Sequence, residues 1–276
     1  MFSYEHKYHA GCFADVHKHL TLFAIVDYLL KKPTPFCVLD THAGDGLYDL
    51  NSIESQKTAE RVQGIDKLWA LKEAPPLVSQ FLDLVKGYNQ PGECRYYPGS
   101  PAIITEMLRD NDRGLFIEKH PQAIAALRAF TTHEHKQIHL HERDSIEAMK
   151  ALIPFIEKRG LVFMDPSYEI KSDYELMVEA LHRAYERFSH GIFALWYPML
   201  SENDQATLLR HLKKSTIAKI WQCEWSPFPD KKTGILGSGM IVINPPWQLD
   251  TLLTETFHSL NQSLFKSGQF TQRWLA

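Results

Sequence analysis

The chain has 276 residues, of which 44% are hydrophobic and 23% charged, and its formal net charge is -3. This length allows one large domain or two small ones, and the composition excludes a globally disordered chain. A slightly acidic protein is not expected to coat nucleic acid nonspecifically, although this balance does not exclude one local basic face.

The four cysteines predict reduced thiols in an intracellular protein, because no two have Cys-x-x-Cys spacing. They are Cys12, Cys37, Cys94 and Cys223. The N-terminus lacks the apolar stretch of a signal peptide, and the apolar run at 20–26 is too short to span a bilayer. We therefore expect a cytoplasmic protein without a membrane segment, and nothing indicates more than a monomer.

Seven short apolar runs, mostly bounded by Gly, Pro or charged residues, predict buried strands. In chain order they are residues 36–40, 114–118, 137–141, 160–165, 190–196, 217–224 and 239–244. Between them, Ser100 and Pro101 predict a helix N-cap and first turn, Pro121 opens a second helix, and residues 172–175 form a capping box. Alternating strands and helices predict a parallel sheet covered by helices on both faces.

The connection between strands six and seven breaks this alternation, because it is rich in Pro and Gly and too short for a crossover helix. Strand seven should therefore run antiparallel, as half of a hairpin. The result is the α/β, Rossmann-like seven-stranded sheet that is typical of class I methyltransferases. Residues 51–98 carry further helix-like stretches, and we interpret them as a helical insertion after strand one, within a single domain spanning 1–276.

A glycine turn follows the first strand at residues 40–46, where Gly44 and Gly46 would let a cofactor approach the backbone closely. The match to the dinucleotide pattern G-x-G-x-x-G is incomplete, and a tight turn without a ligand is the alternative. Glu118 ends the second strand, where an acidic side chain accepts hydrogen bonds from ribose in nucleoside-binding folds. Asp144 follows the third strand and could hold the amine of a cofactor's adenine.

The segment Asp-Pro-Ser-Tyr at 165–168 follows strand four and resembles the (D/N)-P-P-(Y/F/W) signature of amino-methyltransferases. The Asp165 carboxylate and the Pro166 carbonyl can accept the two N–H groups of an aromatic amine, which favours localisation of its lone pair as a methyl group arrives. Tyr168 can stack on an extruded base, a contact worth about 1–3 kcal/mol. An ordinary proline turn is the alternative.

A second segment, Asn-Pro-Pro-Trp at 244–247, fits the signature better. Ligands bind at the carboxyl ends of parallel strands. An antiparallel seventh strand would place Asn244 at the opposite edge from the glycine turn, so we predict that this segment is a structural turn.

The N-terminal segment is rich in histidine, with His6, His9, His17 and His19 around Lys18. A His-x-His pair can bind a metal, but no clustered Cys or carboxylate completes such a site, and we predict no metal. A solvated helix face is one interpretation. In the other, the segment lines the methionine end of a cofactor, and Lys18 faces the cofactor's carboxylate.

Six stretches, in order along the chain, closely resemble the RlmJ family of bacterial 23S rRNA adenine-N6 methyltransferases. They are residues 8–19, 40–48, 95–101, 159–169, 193–198 and 237–247. The resemblance implies a class I fold with a helical insertion, S-adenosylmethionine as methyl donor, and adenine 2030 of 23S rRNA as acceptor.

The resemblance also implies roles for individual residues. Tyr4 matches a family tyrosine that acts on the RNA side, and the catalytic motif falls on Asp165, Pro166 and Tyr168. Cofactor contacts fall on Lys18, His19, His42, Ser100, Glu118 and Asp144. To these we add Gly44 of the glycine turn, Ser145, and Asp165 at the reacting end.

Two positions depart from the family pattern. Ser167 replaces the second proline of the motif, which makes the turn less rigid but removes no group that the chemistry needs. Ser145 stands where the family often has Gly, and its side chain would crowd the cofactor's adenine or hydrogen-bond to it.

Three other functions fit parts of the sequence. A DNA adenine-N6 methyltransferase usually carries a long target-recognition segment, for which the stretch after Asp165 leaves little room. The incomplete glycine pattern disfavours a nicotinamide-dependent oxidoreductase. Retention of Asp165 and Tyr168 disfavours a catalytically inactive RNA-binding module.

Overall fold

The strands define the architecture of this computed structural model, which describes residues 5–131, 137–170, 172–200 and 205–276. They are β1 (Cys37–Asp40), β2 (Leu47–Asp49), β3 (Tyr96–Pro98), β4 (Arg113–Glu118), β5 (Gln137–Glu142), β6 (Gly160–Met164), β7 (Ile192–Leu200), β8 (Ile220–Ser226), β9 (Ile235–Ile243) and β10 (Gln269–Trp274). Eight form one sheet in the order β10-β8-β9-β7-β6-β1-β4-β5, while β2 and β3 form a separate ribbon.

Helices cover this sheet and separate its strands. They are α1 (Phe13–Leu30), α2 (Ile53–Thr58), α3 (Ile65–Trp69), α4 (Pro76–Gly87), α5 (Ser100–Met107), α6 (Pro121–Thr131), α7 (Ser145–Leu152), α8 (Ser172–Arg187), α9 (Gln205–Lys214) and α10 (Leu249–Ser263), with short 3₁₀ turns at His6–Tyr8 and Glu60–Gln63. Among the described residues, no helix is long and apolar enough to cross a membrane.

The parallel part of the sheet is its buried centre. β1 pairs in parallel with β4 and β6, β4 with β5, and β6 with β7. Every residue of β1 and β6 is buried, as expected for strands covered on both faces. Because these strands run in one direction, the segments that follow β1, β4, β5 and β6 meet at a single edge.

The predicted fold class is confirmed, and each of the seven predicted strands is present with bounds shifted by a few residues. Strand seven is β9, which lies between β7 and β8 and is antiparallel to both, as predicted. The strand count of seven is wrong, because β10 adds an eighth strand antiparallel to β8. In β10 only Phe270 is buried, so its sequence lacks the alternation that marks a strand.

Residues 51–98 contain α2, α3, α4 and the strand β3. The helix α4 buries an apolar face made of Leu77, Val78, Phe81, Leu82 and Val85. The ribbon of β2 and β3 was not predicted, because each strand has three residues. We propose that residues 51–98 form an insertion subdomain within a single domain.

The helix α1 is buried along most of its length, including His17, Lys18 and His19. It packs against α4 and α5 and against β6, β7 and β9. The interpretation of its histidines as a solvated face is therefore wrong. The amphipathic pattern of a surface helix is absent because neighbours surround this helix, and its polar side chains need protein partners.

The starts of two helices and the state of the cysteines agree closely with the sequence. The helix α5 begins at Ser100 with Gly99 as its N-cap, one residue earlier than predicted, whereas α6 begins at Pro121 as predicted. All four cysteines are free thiols, as expected.

Asn244 follows the last residue of β9 and lies beside the start of β7, because the two strands are antiparallel. Its backbone is left-handed, with φ 51°, and its side-chain amide donates to the carbonyls of Ser189 and Gly191, each at 2.8 Å. Asn244 therefore lies at the opposite edge of the sheet from the carboxyl ends of the parallel strands. The predicted position of this segment is confirmed, and its structural role stays a prediction.

We expect Asn244→Ala to lower the free energy of unfolding by about 1–3 kcal/mol, because two carbonyls lose their donor and alanine disfavours positive φ. Turnover of the folded protein should stay close to wild type. Urea unfolding and an activity assay on one preparation measure both. Asn244→Gly relieves the backbone cost but not the lost donor, and should fall between wild type and the alanine variant. A variant with wild-type stability and no turnover would contradict the structural role.

Candidate active site

A cavity of about 720 Å³ opens at the carboxyl edge of the parallel strands. This volume lies within the range of about 300–1,000 Å³ usual for small-molecule sites. Its wall includes Lys18, His19, His42, Gly44, Ser100, Glu118, Asp144, Ser145, Asp165, Pro166 and Tyr168. The fold thus brings together all the predicted site residues that lie within the described ranges. Tyr4 lies outside the described residues.

The glycine turn is shaped by the backbone and by one tyrosine. Gly44 and Gly46 have left-handed φ angles of 67° and 88°. A Cβ on Gly44 would lie 2.3 Å from the hydroxyl oxygen of Tyr48, so a side chain is excluded by space as well as by φ. The same hydroxyl accepts the Asp45 N–H at 3.2 Å. Tyr48, which sequence reasoning missed, therefore supports the turn.

The Glu118 carboxylate is held by the backbone at both oxygens. Its Oε2 accepts the Gly44 N–H at 2.8 Å, and its Oε1 accepts the His120 N–H at 2.6 Å. A carboxylate has about four acceptor sites, so each oxygen can accept one more hydrogen bond. Glu118 is therefore both a support of the glycine turn and an acceptor facing the cavity.

Asp144 caps the helix α7. Its Oδ1 accepts the N–H groups of Ile146 at 3.0 Å and Glu147 at 3.4 Å, and its Oδ2 accepts from Lys119 Nζ at 3.2 Å. Although partial burial disfavours its charged form, these donors hold the pKa of Asp144 below its ordinary value. Ser145 is the first residue of α7 and also lines the cavity.

The Lys18 ammonium lies between two carboxylates, 2.7 Å from Asp15 Oδ1 and 2.5 Å from Asp165 Oδ2. Its side chain is 3% exposed, and Nζ lies 5.3 Å from the ring centroid of Trp196. The prediction had this lysine facing a cofactor carboxylate, whereas the structure places it on two carboxylates of the protein itself. The reason is that a buried cation needs an anionic partner.

Asp15 is the residue of this group that sequence reasoning missed. It is 1% exposed, and its Oδ2 accepts the Gly11 N–H at 2.8 Å and lies 3.1 Å from His6 Nε2. Burial opposes its ionisation, but the charges of His6 and Lys18 hold the pKa of Asp15 well below its usual value. Its spacing of three residues from Lys18 on one helix was an available signal.

The histidines of this region have separate partners. His19 Nδ1 lies 2.7 Å from the Tyr97 hydroxyl, His17 Nδ1 lies 2.9 Å from the Ser238 hydroxyl, and His42 Nδ1 lies 2.8 Å from the Thr41 hydroxyl. Burial lowers the pKa of both His17 and His19 to about 3, so both are neutral. No group of three or more His, Cys, Asp or Glu in the described ranges is placed to hold a metal.

Tyr168 has a left-handed backbone, with φ 50°, and donates its hydroxyl to the Trp196 carbonyl at 2.7 Å. One ring face stacks on Tyr174, with centroids 4.2 Å apart and an interplanar angle of 24°. The hydrogen bond and the stacking hold the ring in one orientation, in which Tyr168 lines the cavity. Trp196, which also lines the cavity, was not predicted as a site residue.

Asp40 is a further buried acid that sequence reasoning did not single out. It ends β1, is fully buried, and accepts the His42 N–H at 3.3 Å. Burial raises its pKa to about 7. At neutral pH this carboxyl group is therefore partly protonated and can donate as well as accept.

The sheet order, the antiparallel β9 between β7 and β8, the glycine turn after β1 and the Asp-Pro-Ser-Tyr turn after β6 together define a class I methyltransferase. The chain belongs to the family described as "Ribosomal RNA large subunit methyltransferase D, RlmJ", whose model matches residues 33–276.

Similar proteins span nearly the whole chain. It is 39% identical to Ribosomal RNA large subunit methyltransferase J of Haemophilus influenzae, covering 100% of this chain and 99% of that protein. It is 38% identical to the Escherichia coli protein of the same name, covering 97% and 96%. A crystal structure of a Legionella pneumophila protein superposes with a TM-score of 0.90 at 32% identity, covering 96% of this chain and 98% of that one.

The buried histidines predict loss of stability in mild acid. Because the folded-state pKa of His17 is about 3 and the ordinary value is 6.5, only the unfolded chain binds the proton between these pH values. The contribution of neutral His17 to the free energy of unfolding is fully present above pH 6.5. It falls by about 1.4 kcal/mol for each pH unit as the pH drops toward 3.

Urea unfolding of the wild type and of His17→Gln at pH 7 and pH 5 tests this expectation. The wild type should lose about 2 kcal/mol more than the variant over this interval. His211→Gln, on the outer helix α9, serves as the control and should follow the wild type. Equal losses for all three proteins would mean that His17 is not held neutral.

Proposed function

We propose that this protein transfers a methyl group from S-adenosylmethionine to the exocyclic N6 amine of an adenine in large-subunit ribosomal RNA. One observation carries the proposal: Asp165 and Tyr168 share a cavity with the glycine turn and Glu118, whereas Asn244 of the rival signature lies at the opposite edge. Methyl donor and acceptor base would therefore meet in one cavity, as a direct transfer requires.

The residues of the cavity fit S-adenosylmethionine. Glu118 has free acceptor capacity for the two ribose hydroxyls, and the side-chain-free Gly44 allows close approach of the ligand to the backbone. Asp144 and Ser145 lie where the adenine of the cofactor would be held, and His19, His42 and Ser100 would contact its methionine part. When bound, the cofactor supplies an electrophilic methyl group on a sulfonium.

Lys18 has a second role in this proposal beside the cofactor contact implied by the family. Its ammonium orients the Asp165 carboxylate, since it lies 2.5 Å from Oδ2. The same ammonium places a positive charge beside the oxygen that would face the acceptor amine. Asp15 in turn positions Lys18 from the opposite side.

At the acceptor end, Asp165 and the Pro166 carbonyl would accept the two N–H groups of the adenine amine. They favour a localised nitrogen lone pair and take up the positive charge that develops on nitrogen. The target base would leave its stack and lie against the cavity-facing side of Tyr168, because Tyr174 occupies the other face. Ser167 contributes no group to these contacts.

Other parts of the proposal follow from its substrate. We propose that the protein is a cytoplasmic monomer that meets its RNA there, and that Tyr4 acts on the RNA side, as the family resemblance implies. The relatives named as RNA methyltransferases support RNA over DNA as the substrate. Equal transfer to a DNA strand of matched sequence would favour the DNA alternative.

Asp165→Asn should reduce the single-turnover rate by about 10²- to 10⁴-fold, because the variant keeps the shape of the side chain but loses its charge. Affinity for S-adenosylmethionine should stay within a few fold. Rapid-quench transfer to RNA and calorimetric titration of the cofactor measure these quantities on one preparation. A variant that keeps more than a tenth of the wild-type rate would exclude Asp165 as the acceptor group.

Glu118→Ala should weaken S-adenosylmethionine binding by about 1.5–3 kcal/mol, since hydrogen bonds to a charged group are lost. Glu142→Ala is the matched control, because Glu142 ends the neighbouring strand β5 but pairs with Arg128 outside the cavity. Isothermal titration compares the two variants. Equal affinities for the two variants would place the ribose partner elsewhere.

A further inference from the structure

Two lysines from separate segments lie against one group of aromatic rings near the cavity. Lys231 Nζ lies 5.9 Å from the Phe13 ring centroid, and Lys67 Nζ lies 5.6 Å from that of Phe265. Phe228 connects the two rings, with centroid distances of 6.1 Å to Phe13 and 5.5 Å to Phe265. We name these six residues, including the neighbouring Lys232, the lysine–aromatic cluster: Lys67, Lys231, Lys232, Phe13, Phe228 and Phe265.

The cluster lies at the acceptor end of the cavity. Lys231 and Lys232 are exposed at the tip of the β8–β9 hairpin. Since β8 pairs through β9 with β7, this tip projects at the same edge as Asp165. Ile235, the first residue of β9, lines the cavity together with Trp196 and Tyr168. The contacts of Phe228 anchor the hairpin to α1, so the lysines lie beside the place where the target base would enter.

The lysines of the cluster differ in their charge environment from other cations at this cavity. Lys7 pairs with Glu5 and Glu54, and Lys119 pairs with Asp144. Within the described ranges, Lys67, Lys231 and Lys232 make no ion pair. Their charge is therefore available to an anion, while aromatic rings support the side chains of Lys67 and Lys231.

Arg143 also lines the cavity and makes no ion pair with the residues that the structure describes. It follows β5, however, at the end where Asp144 and Ser145 would hold the cofactor's adenine. In the sheet, β6, β1 and β4 lie between β7 and β5. Among the residues that the structure describes, the cluster therefore supplies unpaired positive charge beside the acceptor.

We propose that the lysine–aromatic cluster binds the sugar–phosphate backbone of the RNA strand next to the target adenine. The inference rests on the proposed function, since it assumes an RNA acceptor. A protein with net charge -3 gains no affinity for RNA from its overall charge. A local group of unpaired lysines provides the attraction, and each phosphate that it neutralises releases counterions.

The test measures how RNA affinity depends on salt. A short RNA stem-loop with one unpaired adenine is titrated against the wild type, the pair Lys231→Gln/Lys232→Gln, and the single variant Lys67→Gln. The matched control is Lys213→Gln/Lys214→Gln, which removes two adjacent exposed lysines at the end of α9. That helix leads into the start of β8, so the control pair lies toward the opposite edge of the sheet.

For single-stranded contacts, the slope of log affinity against log salt should become shallower by about 0.7 for each lysine removed. The slope of the hairpin pair, Lys231→Gln/Lys232→Gln, should therefore be shallower than the wild-type slope by about 1.4, and that of Lys67→Gln by about 0.7. The control pair should keep the wild-type slope. Affinity for S-adenosylmethionine, measured on the same preparations, should be the same in every variant and shows that each is folded.

A wild-type slope in the hairpin pair, or an equal loss in the control pair, would overturn the proposal. Failure of the proposed function has a different signature, because the wild-type protein itself would then transfer no methyl group to any RNA. A wild type that methylates the stem-loop while the hairpin pair keeps its slope would refute only the lysine–aromatic cluster as the phosphate-binding surface.

Discussion

The structure of this site depends on one buried cation. The Lys18 ammonium joins Asp15 on its own helix to Asp165 on the turn after β6, and so connects α1 to the Asp-Pro-Ser-Tyr turn. Burial of an ion costs several kcal/mol, and it is offset here by two short contacts with carboxylates. Removal of either carboxylate would leave the ammonium with one anionic partner and would loosen the connection between the helix and the turn. The turn is therefore held in place before a substrate arrives, which reduces the reorganisation that transfer requires.

The parallel strands supply the second constraint, since they bring distant segments of the chain to one edge. The glycine turn after β1 and Glu118 after β4 are joined by a hydrogen bond from Gly44 to the Glu118 carboxylate. Tyr48 fills the space that a side chain on Gly44 would need. These contacts fix the end of the cavity at the glycine turn, while one hydrogen bond from Tyr168 to the Trp196 carbonyl fixes the end at the Asp-Pro-Ser-Tyr turn. Contacts within the protein thus position both ends, which suits the proposed transfer, in which proximity and orientation matter most.

Sequence reasoning succeeded where the local pattern carries the information. Strands buried on both faces appear as apolar runs, and the short Pro- and Gly-rich connection before β9 left only a hairpin. It failed for β10, whose residues are mostly exposed, and for β2 and β3, which have three residues each. It also left a solvated face open for His17 and His19, because their polarity gave no sign that α1 is surrounded by other elements.

The residue types of the site were determined by the sequence itself: glycines that permit left-handed φ, acids at strand ends, and an Asp-Pro-Ser-Tyr turn. Short-range chemistry is sufficient for these features, since each depends on a few neighbouring residues. Only the tertiary structure assigned Lys18 to two carboxylates of the protein and brought Lys67 near the β8–β9 hairpin. Those outcomes depend on strand order and helix packing, and therefore on contacts between residues far apart in the chain, which no local pattern encodes.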